Sequence, residues 1–419
     1  MNAGVSPKFA IRGAVCALLF ALSLGRYWIG YDPSRIVPQR PEGFKLAHNI
    51  AADGQFANPF STLNTGPSAH LAPAFPFFLA VLIKALGAGA AGAYAFKISA
   101  VLTLALLLAL FPLISEVLGL GLLNGAIAAL LWLVVKVPES PYWEGIYASL
   151  LVALAICCYR KYLETSTPDI RLTALLGCVM GMLILLIPSC MPVLAGYVVF
   201  ALWKHQRAFI QPRHLILVIA PALIVLPWII RNYVVFDRIV PVRDNLGLEL
   251  SVSNSDCAAF SLEANIQSGC FMVSHPDASL AQAYKVLAMG EASYNHDRLR
   301  QAWQWIGENP GSFGTLCLER MLAFWIPDDS NPIGHLLQPG WRSGRLILDL
   351  TTGLSVIGLF IAFRRDGKTA AIFALWLCLF PLVYYVVQFD SRYRLPVMAL
   401  TFLLGALPIS ALIAKMDLG

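Results

Sequence analysis

The chain has 419 residues, 58% of them hydrophobic and only 13% charged, with a formal net charge of +6 and a mean hydropathy of +0.69. That charged fraction is about half the roughly 25% of soluble domains, which excludes an ordinary soluble enzyme and places the chain among integral membrane proteins. The basic excess is divided among short segments between apolar runs, so it reports topology and not affinity for nucleic acid.

Apolar runs cover 13–30, 71–88, 96–116, 118–137, 146–159, 172–189, 191–203, 214–230, 345–363, 370–388 and 396–414. The first, Ala14 to Ile29, lacks a small-residue cleavage site and reads as a retained helix. Segments rich in Lys and Arg (Lys8 with Arg12, Arg160 with Lys161, Lys204 to Arg213, Arg364 to Lys368, and Lys415) are expected to be cytoplasmic. Eleven crossings would separate the two basic ends. The run at 71–88, with prolines at its start and Lys84 near its end, is therefore expected to lie along the interface. Ten crossings remain, and four segments fall outside: 31–70, 138–145, 231–344 and 389–395. In the large segment, Ser279 to Glu308 reads as one helix and Phe313 to Trp325 as a second, ended by Pro327. The nine cysteines have no metal-ligand spacing. Cys257 and Cys270, close together in one outside loop, either form a disulfide or are two small buried residues.

Chemistry is expected in the outside segments. Glu42 begins EGFKLAHNIAADGQF, which reads as a short helix with Phe44, Ala47, Ile50 and Ala51 on one face. A carboxylate there is either a helix-start acid stabilised by the dipole or a catalytic base. Glu144, beside Tyr142 and Trp143, is the acid on the second outside turn, where an aromatic belt is the plainer reading. Two converging carboxylates can deprotonate an acceptor or hold a divalent metal, so Glu42 and Glu144 are the metal candidates. Beyond Trp228 come Arg231, Arg238, Arg243, Asp244, Asn245 and Glu249. They form either a phosphate-binding set or an ion network that ties down a loop. Arg392 and Arg394 in FDSRYRLPV lie outside against the charge bias, where they suit a lipid-linked phosphate or simply snorkel to head groups.

Taken in order, Glu42–Ala47 with NIAADGQFANPF, TGPSAHLAPAFP at 65–76, Trp143–Glu144, residues 227–250, His275–Pro276, Gly290–Glu291, Phe324–Trp325 and RYRLP at 392–396 resemble a known family. It is the polytopic GT-C glycosyltransferases, in particular the bacterial group related to family 39, with protein O-mannosyltransferase-like and aminoarabinose-transferase-like members. The resemblance implies an all-α GT-C helical bundle with about ten transmembrane helices, forming a single membrane domain over 1–419. It also implies transfer of a sugar from a polyprenyl-phosphate donor to an acceptor of unknown identity on the external face of a bacterial inner membrane. Carried onto this chain, Glu42 is the first-loop acid and candidate base, and Glu144 the acid on the second outside turn. Arg392 and Arg394 take the donor phosphate, and Arg243, Asp244, Asn245, Glu249, His275 and Glu291 line the substrate site. Glu42 stands alone where the family carries an Asp or an Asp–Glu pair, so Asp32 is a second candidate base. The family's usual basic residue near APAFP is absent, its place taken by His70 or by nothing. Membrane lipids are the other expected partners. A lipid-linked-sugar transporter and a non-catalytic scaffold are the competing classes.

Overall fold

A computed structural model describes residues 7–31, 42–135, 143–326 and 345–416. Asp32 lies outside the described residues. The described residues form α-helices joined by turns, and β pairing among them is limited to isolated bridges at Ala57–Pro67 and Ser261–Phe389.

The helices, in chain order, begin with α1 (Pro7–Gly30), α2 (Glu42–Asp53), α3 (Ala74–Leu86), α4 (Ala90–Val117), α5 (Leu122–Val134) and α6 (Gly145–Tyr162). Next are α7 (Ile170–Leu186), α8 (Met191–His205) and α9 (Pro212–Phe236). A run of shorter helices follows: α10 (Leu246–Ser253), α11 (Leu262–Gln267), α12 (Cys270–Ser274), α13 (Leu280–Met289), α14 (Glu291–Glu308) and α15 (Pro310–Trp325). The chain closes with α16 (Arg345–Arg365), α17 (Gly367–Leu379), α18 (Leu382–Val386) and α19 (Leu395–Met416).

Among the described residues, six helical stretches are long and apolar enough to cross a membrane: Phe9–Gly30, Ala90–Val117, Pro212–Phe236, Leu346–Arg365, Gly367–Val386 and Ser391–Met416. The helices α3, α5 and α7 are apolar but shorter. The 13 residues of α3 give it a length of about 20 Å, against a hydrocarbon core of about 30 Å.

The centre of the bundle is α19, whose residues from Leu395 to Leu407 are buried on every face. A helix apolar all round belongs in such a position; α5, α6 and α16 pack around it. Lipid tails are as apolar as leucine, so close packing and hydrogen bonds hold such a bundle. Asn124 of α5 shows the second kind: its Nδ2 donates to the Leu403 carbonyl at 3.0 Å, and its Oδ1 accepts from Ser410 at 3.1 Å.

The polar segments join into one layer. Phe389 exchanges backbone hydrogen bonds with Phe260 and Leu262. Ser61 N–H donates to Asp277 at 2.6 Å, and Thr62 donates to the Pro276 carbonyl. Arg320 of α15 is fully buried and donates to the Ser253 carbonyl, to Asn254 Oδ1 at 3.0 Å and to the Val386 carbonyl at 3.0 Å. Cys257 and Cys270 are joined as a disulfide. The expected helix from Ser279 to Glu308 is two helices. Gly290 takes φ +75°, a left-handed conformation that ends α13 and turns the chain into α14. Gly247 has a different reason, since a Cβ there would sit 1.9 Å from the Asn295 carbonyl oxygen, so its absence lets α10 press against α14.

Candidate active site

Glu42 opens α2, and the packing of that helix decides where it points. Leu46 and Ala47 are buried on the core, with Phe44, Ile50 and Ala51 packed beside them, as the sequence pattern predicts. The first turn therefore delivers the Glu42 carboxylate into the polar layer, where it meets two histidines. Oε2 forms an ion pair with His70 Nε2 at 3.1 Å, and Oε1 lies 3.9 Å from His275 Nε2. The carboxylate retains 17% exposure, whereas the His70 and His275 side chains show 0% and 4%. The trio is thus open to a ligand only through Glu42.

Each ring is held from behind. His70 ends a loop whose Phe56 and Ser68 carbonyls accept from Arg231, at 3.0 and 2.7 Å. The neighbouring peptide of Ala69 is gripped on both sides: its N–H donates to Glu291 Oε1 at 2.6 Å, and its carbonyl accepts from Asp244 N–H at 2.8 Å. Phe60 lies edge-on to both imidazoles, with centroids at 5.0 and 6.0 Å, and Phe271 stacks on His275 at 4.5 Å. His275 Nδ1 accepts the Asp277 N–H at 3.1 Å. That bond places the ring proton on Nε2, the nitrogen facing Glu42.

Charge follows this geometry. Burial pushes the Glu42 carboxyl up, but His70, His275 and Arg243 outweigh it and hold the group at about 2. Burial lowers His70, yet Glu42, Glu291 and Glu249 raise it above its ordinary value. Burial wins at His275, which is lowered and stays neutral. Burial also raises Glu291 to about 7 and Asp244 to about 6. These shifts favour the ionised form of Glu42, the protonated form of His70 and the neutral form of His275.

Among the described residues, Glu42, His70 and His275 form the one group with metal-ligand character, their ligand atoms all within 4.8 Å of one another. Glu and His are a common donor set for zinc. The arrangement nevertheless does not fit a cation as it stands. A metal on His275 Nε2 needs the proton moved to Nδ1, where it would meet the Asp277 N–H head-on. Glu144 is not in the group.

The other expected residues surround this trio at different depths. Arg243 is within electrostatic reach of Glu42 and of Tyr384, and its buried Nε has no protein partner. Glu249 accepts from Asn245 at 3.2 Å and acts on both histidines and on Tyr393. Arg392 lies over the Trp143 ring at 3.4 Å, pairs with Asp390 at 3.2 Å and is within reach of Glu144. Arg394 is turned to the interior, where it donates to the Trp325 carbonyl at 2.7 Å and to Thr352 at 2.6 Å. Sequence reasoning offered His70 only as a stand-in for the family's basic residue and passed over Tyr384, Tyr393 and Phe60. The signal for His70 was its place in TGPSAHLAPAFP, one of the stretches that carry the family resemblance.

No protein-family model and no curated protein sequence matches the chain. Solved structures do share its fold. The oligosaccharyltransferase of Archaeoglobus fulgidus in its apo form is similar over 97% of this chain and 51% of its own, with a TM-score of 0.56 at 13% identity. The same enzyme in complex with Zn and sulfate gives 0.57 at 12% identity, covering 96% of this chain and 50% of that one. The form tethered to an acceptor peptide containing the NVT sequon gives 0.58 at 12% identity, covering 97% and 50%. The chain therefore has a GT-C type membrane fold and spans about half the length of these enzymes.

Proposed function

We propose that this protein is a glycosyltransferase that moves a sugar from a polyprenyl-phosphate donor to an acceptor hydroxyl at the outer face of a bacterial plasma membrane. The observation that carries the reading is the Glu42 carboxylate, paired with His70 and within electrostatic reach of Arg243, whose buried Nε has no protein partner. A fold shared with oligosaccharyltransferases supports it at the level of class.

In the reaction proposed, the acceptor oxygen attacks the anomeric carbon, and its proton passes to Glu42. The bond from that carbon to the phosphate oxygen breaks, and the electron pair leaves with the phosphate. Attack opposite the leaving group inverts the anomeric centre. A sugar phosphate already carries a good leaving group, so positioning and charge stabilisation are the main demands. Arg243 and Arg392 are the proposed phosphate contacts, with Asn245 and Glu249 beside the sugar. Arg394, engaged by Trp325 and Thr352, is proposed to hold the last helix in place. His275, through its Nε2 proton, steadies Glu42, while Asp244 and Glu291 position His70 through Ala69.

The lipid chain has a seat close by in this proposal. A cavity of about 340 Å³ between α2, α3 and α4 is lined by Phe44, Leu79, Leu82, Ile83 and Phe96, with Lys45 and His48 among its polar residues. Lys45 is one turn along α2 from Glu42, so a chain lying there brings its head group to the site.

The test is transfer of a radiolabelled sugar from polyprenyl phosphate by purified protein in lipid. Glu42→Gln is expected to lower the rate by roughly 10²–10⁴-fold, the usual contribution of a general base. Unchanged transfer in that variant removes Glu42 from the chemistry. No transfer from any donor, with saturable donor binding intact, favours a transporter or scaffold.

A further inference from the structure

A second cavity, of about 280 Å³, lies in the polar layer behind α10. Its lining includes Trp305, Arg298, Gln282, Gln301, Ser251 and Ser274, with disulfide-bonded Cys257 in its wall. Two links bring it next to the candidate active site. Ser251 lies two residues beyond Glu249 on α10, and residues two apart on a helix point to opposite faces. Ser274 directly precedes His275. One short helix, about 10 Å wide, thus stands between this cavity and Glu249 of the candidate active site.

The lining chemistry is specific. The indole of Trp305 is fixed by its N–H, which donates to Asp256 at 2.7 Å. The hydroxyls of Ser251 and Ser274 donate to the Leu248 and Cys270 carbonyls, which leaves their lone pairs free to accept. Arg298 Nη1 donates to Gln301 at 3.0 Å, while its buried Nε has no protein partner. Gln282 accepts from Tyr294 and makes only a long contact, at 3.4 Å, with its own N–H. Free donors and free acceptors therefore stand together beside a rigid aromatic face. Asp256, on Trp305, offsets the charge of Arg298, while Asp297, on Gln301, is paired with Arg300. A phosphate or nucleotide would find no net pull there, and an apolar chain would leave these groups unpaired.

We propose that this cavity binds a short neutral oligosaccharide, through its ring hydroxyls and one sugar face on Trp305, as a subsite for the acceptor's glycan. The assignment of the glycan to the acceptor rests on the glycosyl-transfer reading; the binding itself does not. The Cys257–Cys270 disulfide braces the wall on one side.

The experiment is saturation-transfer NMR on the full chain in detergent micelles, with maltotriose, mannotriose, chitotriose and trialanine as separate probes. At least one trisaccharide is expected to bind the wild type and to weaken about tenfold or more in Trp305→Leu and in Arg298→Leu. Gln282→Ala, a milder change, is expected to give a smaller loss, which separates ligand contact from misfolding. Binding of no trisaccharide up to about 10 mM overturns the inference. So does equal binding by all variants, or binding of trialanine alone, which would make the site a peptide site. Glu42→Gln is expected to keep the binding, so loss of transfer and loss of the glycan are separate outcomes.

Discussion

The pairing of Glu42 with His70 makes a prediction that needs no knowledge of the substrate. Holding the Glu42 carboxyl at about 2 instead of 4.5 corresponds to about 3 kcal/mol net of burial, shared among His70, His275 and Arg243. The sign is fixed on both sides. A depressed carboxyl contributes stability above its unfolded value of 4.5 and loses it as pH falls through about 2. A raised imidazole contributes below its unfolded value of 6.5 and loses it as pH rises through its folded value. The coupling is therefore complete between about pH 4.5 and 6.5. Glu42→Gln, His70→Gln and the double variant form a cycle that isolates the His70 share of it. With an unfolding entropy of about 2.1 cal/mol/K per residue over 419 residues, each 1 kcal/mol of that coupling corresponds to about 1 °C of non-additive Tm shift. Thermal unfolding in micelles at about pH 5.5 should show it, and at about pH 10 it should be largely gone. Additive shifts at both values, or a coupling that persists at alkaline pH, would refute the ion pair as the device that keeps Glu42 charged.

Three further outcomes are expected. Glu291 is raised to about 7, so its ionisation costs stability as pH rises through that value. Glu291→Gln, which keeps an oxygen for the Ala69 N–H, should gain stability over the wild type above about pH 7 and not at pH 4, as a pH series of melting curves will show. Arg320→Met should destabilise by several kcal/mol, because three buried acceptors lose a charged donor worth about 1.5–3 kcal/mol each before relaxation; a melting temperature within a degree of the wild type counts against that network. Zinc should bind the site only weakly, since the Asp277 N–H holds His275 in the wrong tautomer. Isothermal titration that finds sub-micromolar zinc, lost in Glu42→Gln, His70→Gln and His275→Gln alike, overturns that tautomer assignment.

The sequence makes the class of the fold plain, because length and hydropathy alone require a helical bundle and the parity of basic segments divides its ends from its polar layer. The amphipathic face of α2 is also legible, since Phe44, Ala47, Ile50 and Ala51 recur at helical spacing. What pattern does not reveal is distance. His70 and His275 are 205 residues apart, and nothing local in either segment says that one carboxylate lies between them. Arg392 and Arg394 look equivalent in RYRLP, yet one stacks on Trp143 and the other turns inward to Trp325 and Thr352. Their separation by two residues in a tight turn sends the side chains in different directions, and only the packing of α15 and α16 decides which is buried. Gly290 reads as tolerable inside a helix until its positive φ shows it to be the break that brings Glu291 behind His70.

The central helix has a consequence for how the chain is made. Asn124 of α5 awaits partners on α19, and α19 begins at Leu395, 261 residues after α5 ends at Val134 (395 − 134). At about 5–20 residues per second, a ribosome needs roughly 13–52 s to cover that interval. During that time α5 and α6 wait in the bilayer with the faces that α19 will cover turned to lipid, to a chaperone or to each other. Final assembly is therefore a late event, and defects in α19 should register first as turnover of newly made chains before any of them reaches a substrate.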